Sequence, residues 1–209
     1  MVSKIFCRVI IATLMTFALL ILPTNPAAFA DAQADVAEYT AQIKTNPNDA
    51  ENYRARGYAY MQLKNYKKAI DDFNKYIQLE PEKADGFDYT CYGVCYAFLG
   101  DYNQARADFT KAIQLFTKEI QNHSYDEVYA NRGSCYAFLG NYEQAIEDYT
   151  KSLELEIDYA ESVYYGRGLC YKALGDNEKD KADFNKAKEM GYNPSQDVFE
   201  EVFLAMQKN

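Results

Sequence analysis

The sequence predicts an all-α solenoid of stacked helix pairs, and three observations carry that expectation. An eight-residue pattern, Tyr-x-x-(Arg or Tyr)-Gly-x-x-Tyr, occurs four times: Tyr53–Tyr60, Tyr89–Tyr96, Tyr129–Tyr136 and Tyr164–Tyr171. Its glycines, Gly57, Gly93, Gly133 and Gly168, are 36, 40 and 35 residues apart, the period of repeated supersecondary units that bury their apolar faces against neighbours. About twelve residues beyond each of the first three glycines a small residue, then an aromatic and, in two of the three, another small residue follow at helical spacing: Ala69, Phe73, Tyr76; Ala105, Phe109, Ala112; Ala145, Tyr149, Ser152.

Taken in chain order, the first thirty residues stand apart. Lys4 and Arg8 are their only charges, an apolar run extends from Val9 to Leu22, and Ala28-Phe29-Ala30 offers small residues where a signal peptidase reads. Cleavage is expected after Ala30. The run's fourteen residues fall short of the roughly 20 that span a bilayer, so the mature chain is not expected to be membrane-spanning, and no cysteine follows the run as a lipid acceptor. The mature chain is read as exported: periplasmic, cell-envelope associated or secreted.

The chain carries 22 basic and 31 acidic residues. Without Lys4 and Arg8 the balance is 20 against 31, or −11, which argues against nucleic acid and anionic membranes as partners. The charges are interspersed along helical patterns, as on a solvated outer surface.

Within each repeat, two antiparallel helices joined by a short turn fit the spacing. Gly100, Gly140 and Gly175 lie where the first helix must end and can take the left-handed conformation. Asp101, Asn141 and Asp176 follow as caps of the second helix, with Gln104 and Gln144 three residues on. First helices are expected to start at Asn48 with Glu51, Ser124 with Glu127, and Asp158 with Glu161.

These units resemble tetratricopeptide repeats. In the first, Tyr53, Arg56-Gly57, Tyr60, Ala69, Phe73 and Pro81 occupy that family's aromatic, Leu-Gly, Tyr, Ala, Phe and Pro positions. The resemblance implies a right-handed superhelical solenoid of helix-turn-helix repeats. It divides the chain into a signal peptide (1–30), an N-terminal half-repeat helix (31–49), repeats at 50–83, 86–119, 126–159 and 161–194, and a C-terminal capping helix (195–209). Two departures are informative. Repeat four has Asp180 at the small buried position and Asn177 where the others have Tyr66, Tyr102 and Tyr142, which predicts loose packing of its second helix. Six extra residues before repeat three, including Asn122, His123 and Ser124, predict a longer second helix ending in a projecting turn.

Arginine replaces the family's leucine at Arg56, Arg132 and Arg167, and Tyr92 does so in repeat two. Each repeat has an aspartate sixteen residues later: Asp72, Asp108, Asp148 and Asp183. A partly buried guanidinium is costly unless matched, which predicts the pairs Arg56–Asp72, Arg132–Asp148 and Arg167–Asp183. Cys95, Cys135 and Cys170 share one repeat position, filled by Ala59 in repeat one, and Cys91 lies one turn from Cys95. Inert buried thiols are expected, since equivalent positions on neighbouring helices, about 8–10 Å apart, exceed the roughly 7 Å that a disulfide bridges. Without an accompanying histidine the Cys91/Cys95 pair does not read as a metal site.

No catalytic constellation, Gly-rich phosphate loop or Gly-x-Ser-x-Gly motif is found. His123, the single histidine, falls in the insert. The expectation is a noncatalytic scaffold or adaptor with no cofactor and no metal, its partner a protein or peptide segment. A structural component of an envelope complex, self-associating or docking by its convex face or terminal helix, is the alternative. By the resemblance the first helices line a concave groove, and the candidate partner-binding residues are Arg54, Tyr58, Phe87, Thr90, Val94, Ala130, Ser134, Tyr165, Leu169 and Lys172. The family's Lys/Asn/Arg grip on a peptide carboxylate is not matched: Arg54 and Asn131 fall near such positions, whereas Phe87, Cys91, Ser162 and Gly166 do not complete it.

Overall fold

The computed structural model describes residues 26–122, 125–193 and 199–208. Among these the fold is all-α, with ten helices: α1 Pro26–Thr45, α2 Ala50–Gln62, α3 Tyr66–Leu79, α4 Gly86–Phe98, α5 Tyr102–Asn122, α6 Asp126–Phe138, α7 Tyr142–Glu154, α8 Ala160–Leu174, α9 Lys179–Glu189 and α10 Phe199–Gln207. The chain divides for the most part into two compact units, Leu22–Ala112 and Ile113–Gln207. In the first, α1 packs on α2, α2 on α3, and α3 on α4. In the second, successive helices from α6 to α9 pack on one another, and α10 packs on α6.

The repeated glycines allow the two helices of a repeat to approach. A Cβ on Gly57 would stand 2.6 Å from the Phe73 ring, and one on Gly168 2.8 Å from Phe184; real contacts start near 3.5 Å. The stripe of the second helix fills that space, with Ala69, Phe73, Ala105, Phe109, Ala145 and Tyr149 fully buried. Tyr149 adds a hydroxyl to this stripe and donates it to Ser134 Oγ at 3.1 Å, satisfying a polar atom that the phenylalanine of other repeats lacks.

Gly100, Gly140 and Gly175 end their helices at φ of 82°, 82° and 80°. Repeat one makes the same turn with Lys64 at φ 57°, a conformation strained for a residue with a Cβ. Asp101 caps as expected, accepting the N–H of Gln104 at 3.1 Å; Asp176 accepts the N–H of Lys179 at 3.2 Å, but the N-cap position of the helix that follows is Glu178, so the helix starts later than expected. Gln104 does not turn back to complete a box; its amide donates to Asp108 instead. Asn141 makes no side-chain cap bond.

The first helices start differently from the expectation. Asp49, not Asn48, caps α2 by accepting from Glu51 N–H, and α8 starts after Tyr159 without a side-chain cap, so Asp158 has no such role. A full capping box forms where none was foreseen, between Asp85 and Asp88 at the start of α4. Ser124 and His123 lie outside the described residues, as does the expected projecting turn. The preceding helix α5 is indeed extended, with 21 residues against 14 in α3 and 13 in α7.

The departures in repeat four appear at the start of α9. That helix begins at Lys179, two residues after Asn177, and has 11 residues. Asp180 is buried at the position of the small residue, with Oδ1 lacking a hydrogen bond. The expected half-repeat is a helix, α1, which begins before Ala30 and runs to Thr45. Residues 1–25, which hold most of the expected signal peptide, lie outside the description. The expected capping segment is helical from Phe199, and Pro194 and Ser195 are not described.

Candidate interaction surface

The arginine of the repeated motif faces inward. Arg56 donates Nε–H and Nη2–H to both Asp72 oxygens at 2.7 Å; Arg132 binds Asp148 at 2.8 and 2.7 Å, and Arg167 binds Asp183 at 2.8 Å twice. All three expected pairs form, each a bidentate fork matched to the carboxylate plane. The remaining Nη1–H reaches a threonine hydroxyl on the preceding second helix: Thr40 at 3.0 Å, Thr117 at 3.1 Å and Thr150 at 3.0 Å. The two motif tyrosines flank the cation, with ring centroids 5.7 and 5.8 Å from Arg56, 5.8 Å from Arg132 on both sides, and 5.3 and 6.0 Å from Arg167. Guanidinium over aromatic faces is favourable. The motif is thus a clamp that joins both helices of one repeat to the helix before it.

Repeat two has this clamp without its cation. Tyr92 takes the arginine position, rests beside Tyr89 and Tyr96, and donates its hydroxyl to Asn74 at 3.2 Å. Asp108 is left with the Gln104 amide at 3.2 Å on Oδ1 and no hydrogen bond to Oδ2. Burial lifts its carboxyl to about 6, against the Gln104 hydrogen bond and with a smaller push from Asp101.

In the unit Leu22–Ala112 the candidate surface residues form a polar node between repeats one and two. Arg54 donates Nε–H to Asp88 at 2.6 Å and Nη2–H to Asp85 at 2.9 Å. Tyr58 donates its hydroxyl to the same Asp88 oxygen at 2.5 Å, and Asp85 N–H supplies a third donor at 3.0 Å. Asp88 is 0% exposed, which such a set of donors makes tolerable. Asp85 keeps a half-exposed side chain. Packing on its inner side and the Asp88 charge still lift its carboxyl to about 6, with Arg54 opposing. Thr90 returns its hydroxyl to Gly86 C=O, and Val94 is buried. Phe87 is half-buried beside Tyr58, ring centroids 5.5 Å apart. Of this group, Phe87 is the large side chain that reaches the surface with no polar atom committed inward.

In the unit Ile113–Gln207, Ala130 and Leu169 are buried, and Ser134 bonds Ala130 C=O. Lys172 is exposed. Tyr165 donates its hydroxyl to Glu200 of α10 at 2.6 Å and packs against Phe184 and Tyr192. Helix α10 buries Phe199, Val202, Phe203 and Met206, each at most 4% exposed. Phe199 meets Phe138 at a centroid distance of 4.8 Å, Phe203 meets Tyr142 at 5.8 Å, and the Tyr142 hydroxyl donates to Gln207. The sequence expectation placed a capping helix here and did not name the residues it packs on. The i, i+3, i+4, i+7 pattern of α10 signals one buried face, and only the tertiary structure says against what.

All four described cysteines, Cys91, Cys95, Cys135 and Cys170, are buried as thiols. Burial pushes Cys91 and Cys95 well above the ordinary thiol range and Cys170 to about 12, which suppresses the reactive thiolate.

The tetratricopeptide repeat family matches residues 50–83, 89–157 and 161–190. Together with the helix pairs and their clamps, these matches place the chain in the tetratricopeptide repeat family, whose folds serve as protein-interaction scaffolds. Its fold is similar to that of MamA residues 41 to the end from Desulfovibrio magneticus RS-1, with a TM-score of 0.55 and 18% identity, covering 76% of this chain and 84% of that one. A further MamA structure is 24% identical with a TM-score of 0.53, over 77% of this chain and 88% of that one. YrrB, described as a tetratricopeptide repeat protein with an unusual peptide-binding site, is 20% identical with a TM-score of 0.53, over 93% and 90% of the two chains. No match to a curated protein was found. Among the described residues no helix is long and apolar enough to cross a membrane.

Proposed function

We propose that the chain is a noncatalytic, exported scaffold that captures a segment of a partner protein on the exposed faces of its repeats. The observation that carries this reading is the seating of α10 on α6: a helical segment held by aromatic rings and tyrosine hydroxyls is the kind of ligand a scaffold face binds. The internal consumption of charge supports it as well. The motif arginines, Arg54 and Tyr58 all serve carboxylates of the chain itself, so partner recognition falls to side chains such as Phe87 and Lys172. The similar fold of YrrB, described as having a peptide-binding site, is consistent with peptide capture. Export rests on the charge, apolar run and Ala28-Phe29-Ala30 pattern of the first thirty residues.

Two measurements test this. Mass analysis of the chain expressed in a secreting host is expected to find a mature N-terminus at Asp31; a retained Met1 refutes export. Cross-linking capture from the native envelope with wild type, Phe87→Ala and Lys172→Glu is expected to recover a discrete partner that at least one variant loses. Equal recovery by all three refutes partner capture through these side chains.

A further inference from the structure

We propose that Asp108, in the clamp of repeat two, is a proton-binding site that makes the contact between α4 and α5 a pH-gated joint, closed with the proton bound and opening locally without it. Three clamps in the same chain show what an aspartate at this position requires. Asp72, Asp148 and Asp183 each accept two N–H groups from an arginine, a cation that does not deprotonate in proteins. Repeat two keeps the aspartate and the flanking Tyr89 and Tyr96 but has Tyr92 in the arginine's place. The Tyr92 hydroxyl turns to Asn74 of α3 at 3.2 Å, so the ring fills the arginine's place without serving the carboxylate. Asp108 is 7% exposed. It accepts one hydrogen bond, from the Gln104 amide to Oδ1, and none reaches Oδ2. A proton is the cation small enough for what remains.

The titratable groups around the carboxyl are Tyr89, Tyr92, Cys95 and Tyr96 on α4 and Asp101 at the start of α5, with Asp71 of α3 beside Tyr96. Lys111 of α5 is also close, but its Nζ goes to the Tyr89 ring at 6.0 Å. An ionised Asp108 is therefore a buried anion with an unmatched oxygen, which is costly; a bound proton removes the charge and makes Oδ2 a donor. Burial pushes this carboxyl up to about 6, above its unfolded value of about 3.9. Closure is thus favoured below the unfolded value and weakens as pH rises through about 6. At Asp148 burial acts in the same direction, and Arg132 opposes it by hydrogen bonds and charge. The cost in repeat two falls on one side of α4. Toward repeat one, α4 is tied by Asp88, which accepts from Arg54 and Tyr58. Toward α5 it rests on the Phe109 ring, so close that a Cβ on Gly93 would stand 2.4 Å away. Deprotonation loosens this second contact and leaves the first in place.

Native-state hydrogen exchange of the full chain, at about pH 5 and about pH 7.5 with intrinsic rates divided out, tests the joint. Opening of α4 and α5 amides is expected to be about tenfold more frequent at the higher pH, the factor that values of about 6 and 3.9 give across this interval. Amides of α2 and α3 are the reference and should not follow that change. Asp108→Asn keeps the shape of the protonated carboxyl and is expected to hold α4 and α5 at their acid protection at both pH values. Tyr92→Arg is expected to do the same by supplying the cation. Wild-type protection that ignores pH, or a change shared equally by α2 and α3, overturns the proposal. So does a pH response that persists in Asp108→Asn, which would assign it to Asp85 at the other end of α4, or in a folded Tyr92→Arg. Should Tyr92→Arg fail to fold by circular dichroism, Asp108→Asn decides by itself. The joint needs no bound partner, so this result is independent of the capture experiment above.

Discussion

At Arg132, three N–H groups reach a carboxylate and a hydroxyl while two tyrosine rings flank the guanidinium, so its charge is matched by Asp148 in a partly buried place. Truncating it leaves Asp148 buried with its charge uncompensated. Arg132→Ala is expected to cost about 3 kcal/mol in denaturant unfolding, whereas Thr117→Val, which removes one hydroxyl acceptor, costs about 1 kcal/mol. Asp108 shows the converse case. Its carboxyl titrates near 6 in the folded chain and near 3.9 when unfolded, so the folded state binds the proton more tightly. Stability from this group is fully present below the unfolded value and is lost as pH rises through about 6. Asp108→Asn is therefore expected to raise the melting temperature at pH 7.5 and to flatten the gain that wild type shows between pH 7 and pH 5. A variant whose profile overlays that of wild type refutes the assignment. Tyr92→Arg supplies the missing cation and is expected to bring the Asp108 titration, followed by NMR, down toward the ordinary carboxylate range.

At the scale of the helix pair, glycine serves two separate physical needs, and substitution tells them apart. Gly57→Ala forces a Cβ against Phe73 at 2.6 Å and is expected to cost about 3 kcal/mol, because an aromatic ring held between two helices cannot withdraw. Gly175→Ala meets open space at φ 80° and should cost only about 1 kcal/mol, the penalty of a left-handed alanine. The reverse change at the equivalent turn of repeat one, Lys64→Gly, is expected to stabilise by about 1 kcal/mol for the same reason. Chemical unfolding of the three variants measures all of these. Much of this scale was legible in the sequence. Helix spacing, terminating glycines and the sixteen-residue Arg–Asp separation are local or set by the repeat itself. Exact starts were less legible: Asp49 displaces Asn48, and Asn141 leaves its cap unused, because neighbouring polar residues compete for the same N–H groups and packing decides between them. The tyrosine flanks and the threonine contact of each clamp had a signal in the fixed motif spacing, but recognising them required knowing that the arginine lies between the rings.

Across the whole molecule, the buried thiols and the seated α10 have the clearest consequences. In a Cys7→Ser background, Cys91, Cys95, Cys135 and Cys170 are expected to react with a thiol reagent only as the chain unfolds, and a reductant should leave the melting temperature unchanged. Fast labelling of the native protein refutes their burial. Of the ten residues proposed for the partner surface, Thr90, Val94, Ala130, Ser134 and Leu169 are buried, and Arg54, Tyr58 and Tyr165 direct their polar atoms to other parts of the chain. A repeat register identifies which side of a helix a residue occupies, but not what lies over that side. The sequence by itself determined the helix pairs, their glycine contacts and the Arg–Asp clamps, since each follows from spacing within a repeat that recurs four times. Only the tertiary structure decided that Asp88 takes Arg54 and Tyr58, and that α10 lies on α6. These contacts join residues about 30 to 65 positions apart, and their partners are selected by the shape and charge that folding brings together rather than by any local pattern.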